Sequence, residues 1–154
     1  MSSPPADAWY EAPLKPGAEF VCEYRVRFSD CDPAGIVFYP NYFVMLNGVV
    51  EDWFSHLGAP WDTYHMERRM GCPTAHLDSI FLVPSRFGEK LAFHLSVEHI
   101  GKSALLLQHR IVGPDGTLRW CARQRIVATS LETHRSTPWP DDIRAAIHRF
   151  MESL

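Results

Sequence analysis

The densest stretch of the chain is Asp30-Cys31-Asp32-Pro33-Ala34-Gly35-Ile36-Val37-Phe38-Tyr39-Pro40-Asn41-Tyr42, and its reading decides the fold. Pro33 and Gly35 break regular structure, so residues 30–39 are expected to form a loop. Pro40 suits the first turn of a helix, where a missing N–H costs nothing. The pattern then predicts a helix over residues 40–57, stopped before Gly58. At about 100° per residue, Tyr42, Phe43, Leu46, Val49, Val50, Trp53, Phe54 and Leu57 form one apolar arc. Gly48, Glu51, Asp52, Ser55 and His56 fall opposite, and Asn47 projects at the rim. Val44 and Met45 fall on the polar side, which implies a helix that is largely buried.

Working outward, Phe20, Cys22, Tyr24, Val26 and Phe28 alternate with Glu23, Arg25 and Arg27, the pattern of a half-buried strand over residues 20–28. Residues 59–73 read as a connection with a short helix near 62–69. Further strands are expected at 75–81, 90–100, 103–112 and 117–131. A tight turn at Gly101-Lys102 and a hairpin turn at Gly113-Pro114-Asp115-Gly116 join the last three. Leu91, Phe93, Leu95 and Val97 should point inward, as should Leu118, Trp120, Ala122, Ile126 and Ala128. Arg119, Arg123 and Arg125 point the other way and read as a solvated face. Residues 141–154 form a closing amphipathic helix with Ile143, Ile147, Phe150 and Met151 apolar. This order predicts an α+β fold in which a mostly antiparallel sheet covers one long buried helix.

A length of 154 residues suits one domain over 19–154. The preceding segment, 1–18, carries Pro4, Pro5, Pro13 and Pro16 and is expected to be a flexible arm. A net charge of -3 argues against nucleic acid and against an anionic membrane as partner. No apolar run is long enough for a transmembrane helix, and the start lacks a signal-peptide pattern, so a cytoplasmic protein is expected. Cys22, Cys31, Cys72 and Cys121 form no Cys-x-x-Cys pair, and the eight histidines form no helical His-x-x-x-His pair, so no metal is expected. Ser29, Ser103 and Ser130 lack a Gly-x-Ser-x-Gly elbow, which argues against a serine triad. Cys31 has no histidine near it in sequence.

What remains is a carboxylate placed just before a loop that feeds a buried helix. Helix N-termini present unpaired N–H groups, and such amides can stabilise an oxyanion. A carboxylate beside them suffices for acyl-transfer chemistry. Asp30 or Asp32 could equally cap the turn through its own loop, and spacing alone favours the cap.

Residues 32–42 resemble the signature of the 4-hydroxybenzoyl-CoA thioesterase family of hot-dog proteins, in its Pseudomonas type. The resemblance is near residue-for-residue over 30–42. It extends more weakly through Gly71-Cys72-Pro73, Gly101-Lys102-Ser103 and Arg135. It implies a hot-dog fold and an acyl-CoA thioesterase that hydrolyses an aromatic, 4-hydroxybenzoyl-CoA-like thioester to the carboxylic acid and CoA. Asp32 would be the catalytic carboxylate, as nucleophile or as general base for water. The backbone N–H of Tyr39 would polarise the thioester oxygen, and Gly35 would allow close backbone approach. The same resemblance implies a homodimer with its site at the subunit interface, assembled into a homotetramer. Cys72 would line the acyl pocket from the partner, and Lys102, Ser103 and Arg135 would meet the CoA phosphates. No cofactor is implied, coenzyme A being part of the substrate. Asn47 stands where Pseudomonas-type members carry an aspartate facing the substrate ring hydroxyl; Asn47 can still donate and accept hydrogen bonds and so would tune acyl preference. Two other readings remain: a thioesterase for short aliphatic or carrier-protein-bound acyl groups, and a non-catalytic acyl-CoA-binding hot-dog module.

Overall fold

The computed structural model describes Trp9 and residues 17–153, so most of the arm expected at 1–18 lies outside the described residues. The elements in order are β1 (Phe20–Arg25), α1 (Pro40–His56), β2 (Met70–Gly71), β3 (Thr74–Phe81), β4 (Lys90–Ile100), β5 (Ala104–Val112), β6 (Leu118–Val127), β7 (Thr129–Ser130) and α2 (Asp141–Glu152). Five strands form one sheet in the order β1-β4-β5-β6-β3, every pairing antiparallel, while β2 and β7 form a small separate pair. Register shifts at Val97/His99, Thr74/His76 and Ile111/Val112 mark bulges, which bend strands and deepen twist. The α+β hot-dog architecture expected from the sequence is the one observed.

Strand alternation decides which side chains meet α1. Leu91, Phe93 and Leu95 from β4, Leu105, Leu107 and Ile111 from β5, and Trp120, Ala122 and Ile126 from β6 are all buried. They face the helix arc of Tyr42, Leu46, Val49, Val50, Trp53 and Phe54, buried as the periodicity requires. The C-terminal helix closes this core: Ile143 and Ile147 are buried, and the Phe150 ring lies 5.4 Å from that of Trp53, edge to face. Among the described residues, no helix is long and apolar enough to cross a membrane.

Four local expectations change. The first strand ends at Arg25, because the Val26 N–H bonds to the Glu89 carbonyl and Val26 accepts from Gly88, turning the chain out of the sheet. Phe28 therefore falls in a short 3-10 turn and is 81% exposed rather than inward. Val44 is 71% exposed, so the burial implied for α1 stops short of it, while Met45 is covered as expected of a largely buried helix. Residues 62–67 wind as a π-helical turn that buries Tyr64, whose hydroxyl donates to the Gly71 carbonyl. Arg119 is 5% exposed, not solvated, and bonds both to its neighbours Asp115 and Thr117 and to the distant Glu89 and Pro84.

The register also gives the sheet two distinct ends. One end holds the start of β4, the close of β3 and the β5–β6 turn; the other holds the β4–β5 turn, the start of β3 and the close of β6. A strand the length of β5 separates them by roughly 30 Å. Trp53 spans the core between α1 and α2 with no exposed surface. Trp53→Ala is expected to lower unfolding free energy by about 3–5 kcal/mol, read as a reduced midpoint in urea unfolding.

Candidate active site

The loop before α1 is a small hairpin held by its own backbone. Cys31 bridges Val37, the Asp32 N–H donates to the Ile36 carbonyl, and the Gly35 N–H donates to the Asp32 carbonyl. Gly35 sits at φ +77, a conformation that costs glycine little. The Asp32 carboxylate is half-buried, and its Oδ1 accepts the Ala34 N–H at 2.8 Å, the Asx turn that spacing alone suggested. Only one oxygen is used this way; among the described residues no donor reaches Oδ2. Asp30 has a different task. Its carboxylate accepts the Arg27 N–H at 2.8 Å and the Tyr24 hydroxyl at 3.0 Å, and its carbonyl accepts the Asn41 amide at 2.9 Å. Asp30 thus pins the loop to β1 and to the first turn of α1.

The helix start supplies the second component. Tyr39 is the N-cap residue, and Pro40 contributes no N–H. The backbone N–H groups of Asn41 and Tyr42 donate to the Phe38 and Tyr39 carbonyls. The Tyr39 N–H is left without an acceptor among the described residues, at the positive end of the helix dipole. Aromatic rings border it. Phe81, half-exposed at the end of β3, lies 6.2 Å from the Tyr39 ring, 6.0 Å from Tyr42 and 6.5 Å from Phe43. Tyr42 stacks on Trp120 at 5.3 Å. One flank of α1 therefore opens onto an aromatic surface. Asn47 follows Phe43 by one turn on that flank and is exposed. A hollow of about 220 Å³ lies on the other flank, between β1 and α1, against Val44, Gly48 and Asp52.

A buried cation holds the whole loop in place. Arg119 makes a two-pronged contact with Glu89 at 2.9 Å on each arm and donates to the Pro84 carbonyl at 3.0 Å, the Thr117 hydroxyl at 2.8 Å and Asp115 at 3.1 Å. This fixes residues 84–89, which carry the Asp32 hairpin: Ser85 accepts the Val37 N–H, the Phe87 N–H donates to Gly35, and Ile36 bridges Arg86. Gly113 is required beneath it, because a Cβ there would run into the Arg119 guanidinium. Arg119 holds the Glu89 carboxyl below the usual range. Hydrogen bonds from Thr117, aided by Arg119, bring Asp115 down to about 2. No sequence signal pointed to Arg119, because Glu89 lies 30 positions away.

The remaining predicted residues gather at the opposite end of the sheet. Ser103 accepts the Ala128 N–H, Lys102 accepts the Trp139 N–H, and Arg135 accepts the Ser130 N–H, so the β4–β5 turn and the hairpin after β7 lie side by side. Arg144, which the sequence did not single out, ties down that turn through the Gly101 and Lys102 carbonyls. Lys102 and Arg135 are exposed, and neither forms an ion pair among the described residues. Cys72 lies just before β3, half-buried against the core, and burial pushes its thiol up to about 12, so it is a packing group rather than a thiolate. Thus Asp32, Gly35 and Tyr39 come together, Lys102, Ser103 and Arg135 come together near Cys72, and one chain does not unite the two groups.

A helix-wrapping antiparallel sheet with a carboxylate loop at the helix N-terminus is the architecture of a hot-dog protein. Residues 26–147 match the Thioesterase-like superfamily, and the chain belongs to that family. It is 28% identical to 4-hydroxybenzoyl-CoA thioesterase of Pseudomonas sp. strain CBS-3 over 91 residues, 58% of this chain and 64% of that enzyme, so the aligned part spans less than two thirds of the relative. A second relative, 1,4-dihydroxy-2-naphthoyl-CoA hydrolase of Synechococcus sp. strain WH7803, is 29% identical across 84% of this chain and 86% of its own length. The solved structure of the Pseudomonas enzyme superposes with a TM-score of 0.77 at 26% identity, covering 84% of this chain and 99% of that one. These relatives are named as acyl-CoA thioesterases, which are hydrolases.

Arg119→Met is expected to cost about 2 kcal/mol, less than a wholly buried pair because Glu89 keeps some contact with water. Both carboxylates are depressed relative to unfolded values near 4. The stabilisation they carry is therefore present above about pH 4 and lost as pH falls toward 2. Thermal melts from pH 6 to 2 should show a smaller acid-induced fall in the variant.

Proposed function

We propose that this protein hydrolyses an aromatic acyl-CoA thioester, of the 4-hydroxybenzoyl-CoA kind, to the carboxylic acid and CoA. The observation that carries this reading is the Tyr39 N–H, without an acceptor among the described residues, opening onto the exposed Phe81 and Tyr39 rings beside the Asp32 loop. An aryl group fits an aromatic surface at centroid distances of about 4.5–7 Å. Its thioester oxygen would accept the Tyr39 N–H, which gains strength as negative charge develops on that oxygen. The Asp32 Oδ2, free while Oδ1 holds the turn, is the group that acts. As nucleophile it bonds to the carbonyl carbon and expels the CoA thiolate, and water then opens the resulting anhydride. As base it takes a proton from water, whose oxygen attacks the same carbon. The aromatic surface favours this reading over a short aliphatic acyl group.

The site is completed by a second copy of the chain. β3 is a sheet edge with Leu77, Phe81 and the following Leu82 and Val83 between 37% and 50% exposed. A long apolar edge left bare invites pairing. Two β3 strands meeting antiparallel about a two-fold axis bring the start of one beside the end of the other. The partner's Cys72 end then faces Phe81 and Tyr39, and its Lys102, Ser103 and Arg135 come to the side where CoA phosphates would lie. Asn47, on the helix flank facing this junction, would tune the choice of acyl group, and the dimers would pair into a tetramer.

Asp32→Asn should lower kcat by roughly 10²–10⁴-fold in a free-thiol assay run across benzoyl, hydroxybenzoyl and aliphatic CoA esters. Full activity in the variant would refute the role of Asp32, and a preference for aliphatic esters would refute the aromatic assignment. Sedimentation should give a dimer or tetramer; a fully active monomer would exclude a shared site.

A further inference from the structure

One chain of polar groups crosses the apolar core without a part in the chemistry above. His109 on β5 is 1% exposed and Gln124 on β6 is 4% exposed, both on the face that meets α1. Their neighbours along these strands are Leu105, Leu107, Ile111, Ala122 and Ile126, all buried. The His109 Nε2 lies 2.9 Å from the Gln124 Oε1, and the Gln124 Nε2 donates to the Thr74 Oγ1 at 2.9 Å. Burial drives the imidazole down to about 4, so it is neutral at ordinary pH. With Gln124 turning its oxygen to His109, the imidazole donates through Nε2–H. The amide orientation is thereby set, and Thr74 is left to accept. A threonine hydroxyl that accepts still owns one hydrogen to give. No acceptor for it occurs among the described residues, and Thr74 is exposed at the start of the edge strand.

Two buried polar residues in such a core are expensive unless fully bonded, and apolar side chains would fill the space more cheaply. The series of bonds from His109 Nε2 through Gln124 ends at Thr74, whose hydroxyl hydrogen has no acceptor among the described residues. Within one subunit that donor lies about seven strand residues, roughly 20 Å, from Phe81 and the Tyr39 N–H. Across the two-fold β3 junction proposed above it would come to the far side of the same aromatic surface, two residues beyond Cys72. We propose that Thr74, oriented by Gln124 and His109, is a specificity-determining residue: its hydroxyl donates to a hydrogen-bond acceptor on the acyl group at the end remote from the thioester, in the site of the partner subunit. Gln124 and His109 are positioning residues that fix the direction of that donor. This inference rests on the aromatic thioesterase reading.

The test compares benzoyl-CoA with 4-hydroxybenzoyl-CoA in the native protein, Thr74→Val and Thr74→Ser. Thr74→Val keeps the shape and removes the donor, and Thr74 is exposed, so folding is little affected. The expected result is a rise in KM of about tenfold for the hydroxylated ester, the scale of one hydrogen bond, with less than a twofold change for benzoyl-CoA. Thr74→Ser should restore the native value. Gln124→Leu, which unorients the hydroxyl without removing it, should give a smaller rise confined to the hydroxylated ester. Equal effects of Thr74→Val on both esters, or no effect on either, overturn the role of Thr74 while leaving the thioesterase reading intact. Failure of the native protein to cleave both esters would instead remove the reading and this inference together.

Discussion

The burial of α1 is the constraint on which the rest depends. Its covered arc runs from Tyr42 to Phe54, and the sheet supplies a matching apolar surface from β4, β5 and β6. Each such side chain contributes roughly 1.5–3 kcal/mol on burial. A helix committed to that surface must start at one end of the sheet. Pro40 occupies its first turn, and the Tyr39 N–H immediately before it has no acceptor among the described residues where the helix begins. A chemically useful donor therefore follows from how the core is covered.

The loop that carries Asp32 inherits its position from the same arrangement, with one addition. Its hairpin is too short to be rigid alone. It leans on residues 84–89, and those are locked by the Arg119 guanidinium. A buried cation with all its donors satisfied is a specific device: remove one partner and the other is stranded. Asp30, Asn41 and Tyr24 hold the loop from the opposite side. The Asx turn at Asp32 and a catalytic role for Asp32 do not compete, because the turn uses one carboxylate oxygen and leaves the other open.

The division of polar groups between the two sheet ends has a physical consequence. Strand length keeps Lys102, Ser103 and Arg135 far from Asp32 within one chain, so any ligand meeting all of them must reach across copies. The exposed apolar edge at β3 is the surface on which the proposed pairing of copies rests. The surface beside Tyr39 is formed by Phe81 and the edge of Phe43, backed by the buried Tyr42 and Trp120.

By itself the sequence determined the elements and the loop. Periodicity placed α1 within one residue of its observed end, alternation gave the inward residues of β4, and the run from Asp30 to Tyr42 marked the carboxylate loop. These are local properties, written in neighbouring residues. Phe28, Val44 and Arg119 were misplaced because their environment depends on where distant segments pass. The chain leaves the sheet at Val26 toward Glu89, the hollow beside β1 leaves Val44 uncovered, and Glu89 reaches a position on β6 that alternation alone marks as solvent. The chain from His109 through Gln124 to Thr74 likewise exists only once three strands are laid side by side. Tertiary structure decided which groups share an end of the sheet. That is a matter of strand register, and register links residues that no stretch of sequence shows together.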